Sequence, residues 1–270
     1  MKTVIHLSDV HFGRVDDAVV SAIVPLVHSL EPDVVVVSGD LTQRARPEEF
    51  RAARRFLDGL PGPQIVVPGN HDVPLYDVAK RFGSPLANYR RYISEDLEPF
   101  YADNEIAVVG INTARSLTFK NGRVNEEQMR RLHDRLAPLD DSLTKIVVTH
   151  HPFDLPEGFD PKHLVGRAAQ AVEVFLRAGA DVLLAGHLHT RHIASTATRY
   201  PVHSRSALVV QAGTATSTRS RGETNSFNRI VSDGERLEVE HWAWEPGEGR
   251  FQPVSSQTFA WAAAGWQAAS

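Results

Sequence analysis

Cysteine is absent from the 270-residue chain, which removes disulfides, thiolate metal sites and thiol nucleophiles together. No apolar run approaches membrane-spanning length, and Met1-Lys2-Thr3-Val4 leads straight into a strand-like segment. Neither a spanning helix nor a signal peptide is therefore expected, and the cytoplasm is the expected compartment. Basic residues are not in excess either: the formal charge is -4, which argues against a protein that lives on nucleic acid, because phosphate backbones call for a basic face. Repeats, linkers and low-complexity blocks are also missing. Residues 1–270 read as one domain of ordinary soluble composition.

What the chain has in plenty is short branched apolar runs that end in metal-competent side chains. In Gln64-Ile65-Val66-Val67-Pro68-Gly69-Asn70-His71-Asp72, three branched residues read as a buried strand. Pro68 ends it, Gly69 allows a tight turn, and Asn, His and Asp follow at once. Four other runs end alike. Val4 to Ser8 delivers Asp9-Val10-His11, and Val34 to Gly39 delivers Asp40. Ile146 to Thr149 delivers His150-His151, and Val182 to Gly186 delivers His187-Leu188-His189.

Ligand sites in parallel and mixed sheets lie beyond the carboxyl ends of the strands. Five such ends pool about seven candidate ligands at one rim. Glycine directly precedes Asp40, Asn70 and His187, as expected where backbone must approach an ion closely. Carboxylate, amide and imidazole donors suit manganese, iron or zinc. Seven exceed the needs of one four-coordinate zinc and suit two ions sharing a carboxylate. Such a pair can clamp both oxygens of a displacement at phosphorus and lower the pKa of a water.

The surrounding pattern predicts helices over Val15–Leu30, Glu48–Leu60, Asn125–Leu136 and a stretch ending at Arg177. Strands are expected at Ile106–Asn112 and Leu208–Gln211, with a hairpin from Phe227 to Trp244 turning at Asp233-Gly234. Val73–Tyr101, with three prolines and four tyrosines, reads either as a substrate-facing lid of short helices or as a packed excursion with solvated arginines. The tail from Thr258 has no placement from its pattern.

Asp9-Val10-His11, Gly39-Asp40, Gly69-Asn70-His71-Asp72, His150 and Gly186-His187-Leu188-His189, in that order, resemble the five blocks of the calcineurin-like metallophosphoesterases. Spacing and length resemble most the bacterial class III cyclic-nucleotide phosphodiesterases. Gly213-Thr214-Ala215-Thr216 and Asn225-Ser226-Phe227-Asn228 are similar to later strands of that branch. The resemblance implies an α+β fold, the four-layer α/β/β/α metallo-dependent phosphatase fold, with two facing mixed sheets flanked by helices. It also implies two divalent or trivalent ions (manganese, iron or zinc). Asp9, His11 and His189 would hold the first, Asp40 would bridge, and Asn70, His150 and His187 would complete the second. His71 would stand near the phosphate as a catalytic group, and Asp72 would orient its imidazole.

The implied activity is hydrolysis of a small phosphodiester, cyclic AMP or a related nucleotide first, by an activated hydroxide attacking phosphorus. Expected partners are that small substrate, no nucleic acid and no membrane, with a homodimer as one oligomeric state. Three competitors are a repair-type DNA nuclease, a general phosphomonoesterase and a metal-free scaffold. A lipid-A pathway pyrophosphatase is disfavoured because that branch commonly has Arg where this chain has His71. Outside the blocks, His151 reads as structural, and so do His6, His28, His133, His163 and His241. His192, His203, Arg14, Arg219 and Arg221 read first as surface residues, with contact to substrate as the lesser reading.

Overall fold

A computed structural model of the chain describes residues 1–117, 120–201, 205–219, 222–262 and 265–269. Strands and helices alternate at first: β1 (Lys2–Leu7), α1 (Asp17–Ser29), β2 (Val34–Val37), α2 (Pro47–Gly59) and β3 (Gln64–Val66). Two short helices follow, α3 (Val78–Gly83) and α4 (Ala87–Tyr92). Next come β4 (Phe100–Ala102), β5 (Ile106–Gly110), α5 (Glu126–Leu136), β6 (Thr144–Val148), α6 (Ala168–Arg177) and β7 (Val182–Ala185). The remainder is mostly strand: β8 (His192–Ser195), a four-residue α7 (Thr196–Arg199), β9 (Leu208–Gln211), β10 (Ser226–Ser232), β11 (Arg236–Glu245), β12 (Arg250–Ala262) and β13 (Gly265–Ala268).

These strands form a seven-stranded sheet, β13-β12-β11-β10-β1-β2-β3, and a six-stranded sheet, β4-β5-β6-β7-β9-β8. In the first, β1, β2 and β3 run parallel, and in the second β5, β6, β7 and β9 do. Strand parity explains why β2 is valine throughout. Val34 and Val36 join Val4 and Ile65 in meeting Val108, Ile146, Val148 and Leu184 between the sheets. Val35 and Val37 instead pack with Val19, Ile23, Phe50 and Leu57 under α1 and α2. A strand dry on both faces needs no alternation. Across the sandwich, Val109, Val147 and Leu183 meet Met129, Leu132, Val172 and Phe175 of α5 and α6. The layers are therefore α/β/β/α, as expected.

Helix starts follow their caps. Asp16 accepts from the N–H groups of Ala18 and Val19 at the head of α1. Asn125 and Gln128 cap α5 reciprocally, each side chain accepting the other's backbone N–H. Among the described residues no helix is long and apolar enough to cross a membrane.

Local pattern missed three things. The short edge strands β4 and β8 and helix α7 carry too few residues for a period to register. The tail is the end of β12 and the antiparallel β13, at the far edge of the first sheet. Arg81 in the 73–101 segment is not solvated: it is 2% exposed and donates to the carbonyls of Ser116 and Pro74. This segment packs against α2, where the ring of Phe50 lies 6.5 Å from Tyr89 and 6.3 Å from Tyr92. The Tyr89 hydroxyl donates to the Val66 carbonyl at 3.0 Å. Phe50 is fully buried, so Phe50→Ala should cost about 3–5 kcal/mol of unfolding free energy, read from urea denaturation, and should loosen α4 along with α2.

Candidate metal centre

The carboxyl ends of β1, β2 and β3 in one sheet and of β6 and β7 in the other open onto the same rim. The turns beyond them are unusual in their backbone. Asp9, His11, Asp40, His187 and His189 have φ of 52°, 52°, 52°, 73° and 59°, in the left-handed region that side-chain-bearing residues seldom adopt. Each such residue costs about 1–3 kcal/mol, so the surrounding bonds must enforce it. The N–H groups of Asp9 and His11 donate to the carbonyls of Gly39 and Asp40 at 3.1 and 2.9 Å. The N–H of His187 donates to Asp9 Oδ2 at 2.9 Å, and that of His71 to Asp40 Oδ1 at 2.8 Å.

Two donor groups result. In the first, Asp9 Oδ1 lies 3.3 Å from His189 Nε2 and 3.6 Å from His11 Nε2. The two Nε2 atoms are 3.4 Å apart, and Asp40 Oδ2 is 3.7 Å from His11 Nε2. In the second, His150 Nε2 lies 3.3 Å from Asp40 Oδ1, 3.1 Å from Asn70 Oδ1 and 3.3 Å from His187 Nδ1. A tetrahedron or octahedron with metal–ligand bonds of about 2.1 Å has edges of about 3.4 or 3.0 Å, which matches this spacing. Asp9 Oδ1 is buried without a hydrogen-bond partner, a lone pair that a cation would satisfy. The residues fit a pair of ions.

Outer contacts fix which ring nitrogen is offered. His11 Nδ1 lies 3.3 Å from the Thr42 carbonyl and His150 Nδ1 lies 2.8 Å from that of Ser38. A carbonyl can only accept, so each Nδ1 keeps its proton and each Nε2 is the nitrogen left to meet a cation. His189 Nδ1 is held by Thr214 Oγ1 at 2.6 Å and the Arg219 carbonyl at 3.2 Å, with the same result. Burial pushes the Asp40 carboxyl up, but His150, His71 and His11 outweigh it and hold Asp40 well below the usual carboxylate range. Burial likewise works against Asp9, where His189 and His11 prevail. For His150, burial is overcome by the neighbouring Asp40, and the imidazole is raised to about 9. His187 is lowered by burial, reinforced by His150, to about 3.

The glycines stand where space is shortest. A Cβ at Gly69 would fall 2.1 Å from Asp40 Oδ1, and one at Gly186 would fall 2.5 Å from Asp9 Oδ2. Gly39 has φ of +93°, and a Cβ there would meet the His150 ring. Any side chain at these positions would push a carboxylate or imidazole out of the cage.

All seven residues named as ligands in the sequence come together, with Asp9, His11, Asp40, His150 and His189 buried and Asn70 and His187 half-buried. His71 is half-buried beside them, its ring 4.9 Å from that of His11. The expectation that Asp72 orients His71 is overturned. Asp72 is spent on the Asp40 turn and accepts from Leu41 N, Thr42 N, Thr42 Oγ1 and Gly69 N at 2.9–3.1 Å. The Gln43 carbonyl does the orienting, 2.9 Å from His71 Nδ1. Asp72 is thus a brace for the bridging ligand rather than a catalytic group.

His151 is near enough to His150 and His187 to form a third group. Both its nitrogens are nevertheless engaged, Nδ1 with Thr113 Oγ1 at 2.7 Å and Nε2 with the Lys120 carbonyl at 3.0 Å. His192 is tied to Asp154 at 2.9 Å, a carboxylate it shares with Arg199, and Arg14 is exposed. His203 and Arg221 lie outside the described residues. Arg219 departs from the surface reading: its NH1 is 3.1 Å from His71 Nε2. Nothing in its local sequence signals this, because the contact joins residues 148 apart.

Gly69→Ala should abolish binding of the second metal equivalent, measured by metal analysis after dialysis, while far-UV circular dichroism stays unchanged. Manganese should raise the melting temperature of the wild-type protein, since a ligand for the native state stabilises it. Uptake should be weaker in acid. His150, raised to about 9, carries a proton at pH 7 that the cation must displace, so affinity should climb about tenfold per pH unit between 7 and 9 for that one proton. Calorimetry in buffers of different ionisation enthalpy reads the released proton directly.

Known proteins fit this geometry. The family model for Calcineurin-like phosphoesterase matches residues 2–191. Glycerophosphodiester phosphodiesterase GpdQ of Enterobacter lignolyticus is 30% identical over 168 residues, 56% of this chain and 57% of that protein. The 3′,5′-cyclic adenosine monophosphate phosphodiesterase CpdA of Escherichia coli is 27% identical over 178 residues, 64% of this chain and 59% of that protein. The chain thus spans less than two thirds of the length of these relatives. Among solved structures, purple acid phosphatase PPD1 from yellow lupin (Lupinus luteus) seeds superposes with a TM-score of 0.71 at 14% identity, covering 96% of this chain and 53% of that one. A dimetal phosphatase from Danio rerio gives 0.61 at 16% identity, covering 94% and 98%. These two likenesses establish the fold alone, whereas the family match takes in all five ligand-bearing turns: the chain belongs to the calcineurin-like phosphoesterase family.

Proposed function

We propose that this chain is a binuclear-metal-dependent phosphodiesterase acting on a small phosphodiester, with 3′,5′-cyclic nucleotides as the first substrates to test. The observation that carries the reading is Asp40, whose two oxygens face separate donor groups, Oδ2 toward His11 and Oδ1 toward His150. Asp9, His11, His189 and Asp40 would hold one ion, and Asp40, Asn70, His150 and His187 the other. Bound cations supply Lewis acidity, lowering the pKa of a water and neutralising charge on phosphoryl oxygens. The choice of phosphodiesters over monoesters leans on the relatives named for glycerophosphodiester and cyclic AMP cleavage.

The protein's own groups do the rest. Asn70, His71 and His187 are the half-buried members of the site, so substrate enters on their side. Water adds to phosphorus and the bond to one alcohol breaks, which leaves an alkoxide in need of a proton. The attacking water gives up a proton as it adds, and that proton passes through solvent to the alkoxide. His71, its pKa lowered by burial and its Nδ1–H held by the Gln43 carbonyl, accepts from Arg219 at Nε2 and so holds the guanidinium beside the site.

Manganese-loaded protein should cleave bis(p-nitrophenyl) phosphate. Asn70→Ala or His187→Ala should lower kcat/KM by about a hundredfold or more, and an unchanged rate in both would refute the reading. A panel of cyclic nucleotides, glycerophosphodiesters and phosphomonoesters, run with manganese, iron and zinc, ranks the substrate classes.

A further inference from the structure

Arg219, for which contact with substrate was the lesser reading of the sequence, sits on a loop that the fold fastens to the first of the five blocks. The Ala215 N–H donates to the Ser8 carbonyl at 2.9 Å and Thr216 Oγ1 to that of Val10 at 2.7 Å. Ser217 Oγ and the Thr218 N–H both reach the Arg14 carbonyl at 3.1 Å. Asn225 ties the loop from its other side, donating to the Ser217 carbonyl at 2.9 Å. The Arg219 N–H then donates to Ser217 Oγ at 3.1 Å, and the Arg219 carbonyl accepts from His189 Nδ1. Its backbone is therefore fixed against a ligand of the metal centre, and its half-buried side chain turns back so that NH1 donates to His71 Nε2 at 3.1 Å.

A guanidinium has five N–H donors in a rigid plane. One of them, on NH1, reaches His71. Guanidinium matches the spacing of two phosphate oxygens better than any other side chain. The group also stands beside His71, on the side from which substrate enters.

Resting on the phosphodiesterase reading, we infer that Arg219 binds a non-bridging phosphate oxygen of the substrate, with its guanidinium positioned by His71 at the mouth of the metal centre. The site would then recognise the phosphate diester itself through a guanidinium as well as through the cations that Asp9, Asp40 and their partners would hold. Such an arrangement leaves the organic groups to be chosen by other contacts.

The test is binding of inorganic phosphate to manganese-loaded protein by calorimetry, run alongside hydrolysis of bis(p-nitrophenyl) phosphate. Arg219→Ala should weaken phosphate binding about ten- to a hundredfold, the range for one charge-assisted hydrogen bond, and raise KM by a similar factor. It should keep two manganese ions per chain. Arg219→Lys should recover part of the loss, since the charge returns without the fork. Arg219→Ala and His71→Ala should be less than additive in phosphate affinity, because the imidazole acts partly through the guanidinium it holds. Unchanged phosphate affinity in Arg219→Ala overturns the assignment, as does loss of manganese from that variant, which would make the residue a prop for the metal cage. Wild-type protein that binds phosphate through Arg219 yet turns over no diester leaves the assignment standing and removes the phosphodiesterase reading instead.

Discussion

Asp40 and Asp9 are buried carboxylates with lone pairs aimed at imidazoles, and much of the rim is built around keeping them there. A buried carboxylate away from water is costly unless opposite charge or hydrogen-bond donors surround it. Here four imidazoles and several backbone N–H groups converge on the pair, and a pair of cations would complete the balance. Gly39 and Gly69 let the Asp40 turn and the Asn70 turn touch without side chains between them. Asp72, reaching back from the third turn, holds the second one in place through Leu41 and Thr42. The strain of five left-handed residues is absorbed by these same bonds.

That rim is stiff because of what lies beneath it. The inter-sheet layer of Val4, Val34, Val36, Ile65, Val148 and Leu184 is dry, so the two sheets cannot slide without opening voids. Three ligand-bearing turns belong to one sheet and two to the other, which places the site on the seam between them. Asp40 spans this seam, facing His11 on its own sheet and His150 on the opposite one. The C-terminal third closes the arrangement. β10 pairs antiparallel with β1, and the loop before it supplies Thr214 and Arg219 to the imidazoles of His189 and His71.

Most of the cage was legible from residue order because each ligand directly follows a buried strand, a strictly local feature. Periodicity placed α1, α2, α5 and α6 to within a residue or two, since each buries one stripe against a sheet. The segment from Val73 to Tyr101 was open because its anchors, Tyr89 on Val66 and Phe50 on Tyr92, join residues far apart in the chain. Asp72 misled for a related reason. Adjacency to His71 suggested a partnership, but a turn can point neighbouring side chains opposite ways, and the carboxylate found four donors elsewhere.

Sequence alone determined the ligand types, their attachment to strand ends and the need for glycine before three of them, since steric allowance and donor chemistry belong to individual residues. Tertiary structure decided which donors lie within reach of one another and which nitrogen His11, His150 and His189 turn toward them. It also decided that a backbone carbonyl holds His71 and that an arginine from the last third of the chain reaches the centre. Those outcomes depend on distances between segments, and every residue carries a carbonyl, so no residue type announces them.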